Sequence, residues 1–164
     1  MTLSSIQVKA LREALRAEGW TLTVRREMGE AYGSVRPSSR AMMLVNNDEG
    51  VHSYTDAEGK KTTIRQHDPR KTLAHEYTHI LQSRAGHYRG LRGDHIQECY
   101  NYNEVIANTI GMLCYPTPEN IIDNAGYVNR YIKKGTGDLM QYLEADIEKF
   151  LPEVRAFLEK TGLL

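Results

Sequence analysis

Histidines 75 and 79, in the stretch HEYTH, flank Glu76 and stand four residues apart. Four residues make about one turn of an α-helix, so both imidazoles would face the same way and could converge on one cation. Glu76 follows the first histidine on the same element and can reach a water beside that cation. Two metal ligands and a carboxylate base on one rigid helix are working parts of metal-assisted hydrolysis. Chance alone yields this pattern in roughly 2 of 100 shuffles of such a chain, so the pair needs independent support.

A second stretch supplies it. NYNEVIANTIG places Glu104 and Asn108 one turn apart, with Glu104 25 residues beyond His79. A catalytic zinc takes three protein ligands and keeps one position for water, and Glu104 is the expected third ligand. Without a cation, an acid within the series Val105, Ile106, Ile110 and Met112 would be costly to bury. Zinc-bound histidines usually donate their second ring N–H to an oxygen, and Asn108 can offer its amide oxygen to one of them, with His75 the expected donor. Rival ligands are fewer. A third histidine of the HExxHxxGxxH type is excluded by Gln82 and Ala85. The stretch GTGDLMQY, residues 135–142, matches a GTxDxxY motif through Asp138 but brings Tyr142 one residue late, which leaves Asp138 as a rival third ligand. His87 and His95 fall in a glycine-rich stretch and are expected to face solvent, while Tyr77 and Tyr102 are expected to pack.

The elements that must position these groups follow from periodicity and punctuation. Ile6, Val8, Leu11 and Leu15 suggest a short amphipathic helix capped by Ser4 or Ser5 and ended by Gly19. From Trp20 to Ile64, the runs WTLTVRR, AMMLVNN, GVHSYTD and KTTIRQ predict a small sheet of three or four strands, with DAEGKK, residues 56–61, as a turn. Asp68-Pro69 begins a helix that carries the histidine pair and stops at Gly86. Residues 87–95 are expected to form a loop, residues 96–114 a second long helix, and TPENIIDNAGYVNRYIKKG one or two short ones. A last helix should be bent or split at Pro152.

HEYTH followed by NEVIAN resembles the gluzincin branch of the zincin metallopeptidases. The order of elements resembles more narrowly the minimal zincins of the antirestriction ArdC and ImmA/IrrE type. NAGYVNRYIKKG is similar to the Y-I-x-x-W helix of the ArdC-like members, with Tyr131 where Trp stands in that motif. The resemblance implies an α+β fold with a mostly antiparallel sheet, Zn2+ as cofactor on His75, His79 and Glu104, and Asn108 behind a ligand. It further implies Glu76 as general base and Tyr127 as a hydrogen-bond donor to a developing oxyanion. The activity implied is a zinc-dependent endopeptidase that holds an extended peptide or protein substrate against an edge strand, with AMMLVNN, residues 41–47, as the candidate edge. The alternative is an antirestriction or regulatory binding module on the same scaffold. About 67 residues precede the HEYTH helix, too few for a separate single-stranded-DNA-binding domain beside the sheet.

Composition narrows the partners. Formal net charge is zero, from 21 basic and 21 acidic residues, so no global field favours nucleic acid or anionic lipid. Residues 1–92 carry 15 Lys/Arg against 10 Asp/Glu, and residues 93–164 carry 6 against 11, a split that a solvated surface explains. Cys99 and Cys114 fall in one expected helix, roughly 22 Å apart, and cannot pair. No apolar run approaches the roughly 18 residues that span a bilayer. One domain over residues 1–164, in a reducing cytoplasmic setting without a membrane partner, is therefore expected. The sequence carries no signature of oligomeric state.

Overall fold

The computed structural model describes residues 1–27, 31–55, 58–86 and 95–164. It is α+β, as the sequence leads one to expect. Helix α1, Ser5–Ala17, begins at a capping box in which Ser4 and Gln7 satisfy each other's backbone N–H groups. Leu11 and Leu15 are its fully buried residues, and Ile6 is 82% exposed. At about 100° per residue, Ile6 points opposite Leu15, whereas Val8 shares its face. Ile6 is therefore not part of the core stripe.

Among the described residues five strands follow: β1 Thr21–Arg25, β2 Gly33–Arg36, β3 Ala41–Val45, β4 Glu49–Thr55 and β5 Lys61–Gln66. They form two sheets. One has the order β1-β3-β2, with β3 parallel to β1 and antiparallel to β2, and the other is the antiparallel pair β4-β5. AMMLVNN is therefore not an edge, because β3 is the central strand of its sheet. Met42, Leu44 and Val45 are buried, as befits a strand flanked on both sides. The edge beside the histidine helix is β2, four residues that no apolar alternation marks. Gly59, at φ 84°, lies in the connection between β4 and β5; Asp56 and Ala57 of that expected turn lie outside the described residues.

The remaining elements are helical. Helix α2, Pro69–Arg84, is capped by the Asp68 side chain, which accepts from Arg70 N at 3.0 Å. Helix α3 spans His95–Cys114 and α4 Pro118–Lys134, so the segment expected to hold one or two short helices is a single one of 17 residues. A 3-10 segment, Gly137–Tyr142, leads into α5, Leu143–Lys160, which continues through Pro152 as one helix. Leu73, Ala74, Tyr77, Ile80 and Leu81 of α2 join Tyr102, Ile106 and Ile110 of α3 in the main apolar cluster, which α1, the three-stranded sheet and α5 enclose. Cys99 and Cys114 are buried free thiols. Among the described residues no helix is long and apolar enough to cross a membrane.

Candidate metal centre

Helix α2 is buried on nearly all sides, and its two faces do different work. The apolar face turns Tyr77 inward, where its ring stacks on Phe157 at 3.9 Å and its hydroxyl donates to Glu18 at 2.8 Å. Tyr102 on α3 is likewise buried and donates to Asp146 at 2.5 Å. The polar face of α2 presents His75, Glu76, His79 and Gln82, all buried, toward Glu104 and Asn108 of α3. The Asp68 carboxylate ties down the N-terminus of α2. It pairs with Arg70 and accepts from Asn120 of α4 at 3.0 Å, and these contacts hold its pKa below the usual carboxylate value although burial opposes the charge.

Three ligand-type side chains meet here. His75 Nε2 lies 3.1 Å from Glu104 Oε2, His79 Nε2 lies 3.1 Å from Glu104 Oε1, and the two Nε2 atoms are 3.1 Å apart. The ligand atoms of all three residues fall within 4.8 Å of one another, a group that could hold a metal ion. The opposite ring nitrogens show why. His75 Nδ1 faces Asn108 Oδ1 at 3.3 Å, and His79 Nδ1 faces Gln82 Oε1 at 2.8 Å. Both are oxygen acceptors, so both Nδ1 atoms carry protons and, in neutral rings, both Nε2 lone pairs point at the Glu104 carboxylate. A cluster made only of acceptors needs a cation. Two nitrogens and a carboxylate oxygen suit a borderline metal such as zinc better than calcium or magnesium, which take oxygen ligands.

Without a metal, a proton does that job. Burial disfavours a charged His79 imidazole, but the Glu104 carboxylate, helped by Glu76 and Gln82, outweighs it and pushes the pKa up to about 9. Glu104 shows the converse: burial opposes its charge, yet His79 and His75 hold it far below the usual carboxylate range.

Glu76 is the exception in this network. It is 7% exposed, and among the described residues no group hydrogen-bonds its carboxylate. Burial raises its pKa, with the Glu104 charge adding to the rise and the two histidines opposing it. Gly33 of β2 packs against it: a Cβ at Gly33 would lie 2.9 Å from Glu76 Cγ and 3.2 Å from Glu76 Oε1. The edge strand thus approaches the carboxylate as closely as a glycine permits.

A cleft of about 500 Å³ opens over these groups, with Val35 and Pro37 on the strand side and Tyr100, Tyr127 and Tyr131 opposite. Tyr127 donates to Glu104 Oε2 at 2.6 Å, stands edge-on to His75 at 5.6 Å and contacts Tyr131 at 4.9 Å. Burial and the Glu104 charge push its pKa well above the phenol value, so it is a proton donor at neutral pH.

His75, Glu76, His79, Glu104, Asn108 and Tyr127 are thus brought together. Asp138 lies exposed in the 3-10 segment and is not in the converging group. His95 is 74% exposed with Glu98 at 3.4 Å, and His87 lies outside the described residues. Gln82 behind His79, Gly33 against Glu76 and Lys71 behind Asn108 also belong to the site, though no motif in the sequence marks them. The i, i+3 spacing from His79 to Gln82 was the one available signal. Comparisons with protein-family models, with curated proteins and with solved structures find no match to this chain.

Proposed function

We propose that this chain is a zinc-dependent endopeptidase of the minimal gluzincin kind, with Zn2+ held by His75, His79 and Glu104. The observation that carries the proposal is Glu76: a buried carboxylate with no hydrogen-bond partner among the described residues, beside the ligand cluster and lining the cleft. Burial disfavours its charge, and its oxygens, held by no donor among those residues, are left to a water in the cleft. Held by these three residues, zinc would supply a Lewis acid for a water and a substrate carbonyl. Glu76, its pKa raised by burial, takes a proton from the attacking water and returns it to the leaving amine. β2, the edge strand beside α2 among the described residues, pairs an extended peptide backbone and lays it across the cleft. Tyr127 donates its hydroxyl proton toward negative charge, which in the resting site is the Glu104 carboxylate and during turnover the developing oxyanion. Asn108 and Gln82 hold the rings so that both Nε2 atoms face the site.

The test compares wild type with Glu76→Gln at equal zinc content on an unstructured protein, with new termini read by mass spectrometry. Wild type should cleave, and the variant should lose about 10²- to 10⁴-fold in rate, the worth of a positioned general base. Equal cleavage by both proteins would remove Glu76 from this role. Zinc retention with no cleavage by either would favour a binding module.

A further inference from the structure

Behind the ligand cluster, Lys71 is buried at 8% exposure, one turn before His75 on α2. Its ammonium donates to Asn108 Oδ1 at 3.1 Å and pairs with Asp123 of α4. The same Asn108 oxygen accepts from His75 Nδ1, and Asn108 Nδ2 donates to Asn124 Oδ1 at 3.0 Å. Gly111, one turn beyond Asn108, makes this approach possible: a Cβ there would lie 2.9 Å from the Lys71 carbonyl oxygen and 3.2 Å from Lys71 Cγ.

An asparagine behind a ligating histidine has a weakness that an aspartate lacks. Its amide can turn about, and the NH2 end would then demand an acceptor from the imidazole. His75 would have to carry its proton on Nε2, where the metal must bind. His79 avoids this because Gln82 Nε2 donates to the Asn103 carbonyl oxygen at 3.2 Å, which turns Oε1 toward the ring. Among the described residues no main-chain carbonyl plays that part for Asn108, whose Nδ2 meets the Asn124 side-chain amide, itself able to turn about. An ammonium has donors only, so Lys71 against Asn108 excludes the NH2 end and turns the carbonyl oxygen toward both Lys71 and His75.

We propose that Lys71, held by Asp123, is a positioning residue that locks the Asn108 amide and thereby the metal-binding tautomer of His75. The inference rests on the metal centre proposed above. Its ligand is the metal ion itself, and its effect is on affinity rather than on the chemical step.

The experiment is a cycle of zinc affinities, measured by competition with a chromophoric chelator. Lys71→Met combined with Asp123→Asn removes both charges and leaves no buried carboxylate unpaired. In the otherwise native protein this pair of changes should weaken zinc binding by roughly 10-fold or more, the usual cost of losing control of a ligand's orientation. In an Asn108→Asp background the same pair should cost less than about 2-fold, because a carboxylate accepts from His75 at either end and needs no lock. Equal losses in both backgrounds, or no loss in the first, would overturn the proposal and leave Lys71 a packing residue. Thermal melting of each zinc-free variant checks folding; if the pair of changes does not fold, Lys71→Gln, whose amide also accepts, enters the same cycle with the same expectation. Failure of the wild type to bind zinc would overturn the metal centre itself, and the lock with it.

Discussion

Binding of zinc should expel a proton, and the structure gives the size of the effect. With a pKa pushed up to about 9, His79 is almost fully protonated at pH 7, while a metal requires its neutral ring. Zinc binding near pH 7 should therefore release about one proton from His79, and apparent affinity should rise about 10-fold per pH unit up to about pH 9, or about 1.4 kcal/mol per unit. Titration calorimetry in buffers of different ionisation enthalpy reads the proton count directly. The sign extends to stability. A raised histidine pKa stabilises the metal-free fold fully below the unfolded value of about 6.5, and this is lost as pH rises through about 9. Glu104, whose pKa is depressed, contributes stability that is present above the unfolded value of about 4.3 and lost as pH falls below it. Both describe one ion pair, worth about 3 kcal/mol from the His79 side, so the metal-free melting temperature should fall by roughly 6 to 12 °C on going from pH 6.5 to 9.5. Saturating zinc should flatten that alkaline fall. No proton release at pH 7, or a metal-free melting temperature unchanged across this window, would mean that His79 carries no proton for Glu104 in the metal-free fold.

Three further outcomes are expected. Asn108→Ala should weaken zinc binding by roughly 10- to 100-fold without abolishing it, measured by chelator competition; unchanged affinity would return Asn108 to helix packing. Gly33→Ala places a methyl group 2.9 Å from Glu76 Cγ, so it should lower kcat/KM by about 10-fold or more at unaltered zinc content, and full activity would show that the carboxylate position is not critical. Tyr127→Phe should lower kcat by about 10²-fold with KM little changed if the hydroxyl serves the oxyanion, whereas a loss confined to zinc affinity would limit it to orienting Glu104.

What could be read from the sequence was local. HEYTH and NEVIAN each fix relations within one helix, where a spacing of four means a shared face, and chemistry then required the two helices to meet. The Asp68 cap, the Gly86 stop and the free cysteines were legible for the same reason. What depends on packing between elements was not. GSVR is short and polar, and only its place beside α2 makes it the edge at the cleft. AMMLVNN looked like an edge, yet its apolar content is what a strand covered on both sides carries. No spacing in the sequence marks Lys71, and its burial becomes tolerable where α3 brings Asn108 and α4 brings Asp123 to its ammonium.

If His75, His79 and Glu104 form one metal centre, Glu76 stands outside its ligand set. Metal analysis of purified protein, wild type beside Glu104→Ala and Glu76→Gln, after dialysis against zinc and removal of the excess, tests it most directly. About one zinc per chain is expected in wild type and in Glu76→Gln, with a marked loss in Glu104→Ala. A metal-free wild type, or full zinc in Glu104→Ala, would contradict it.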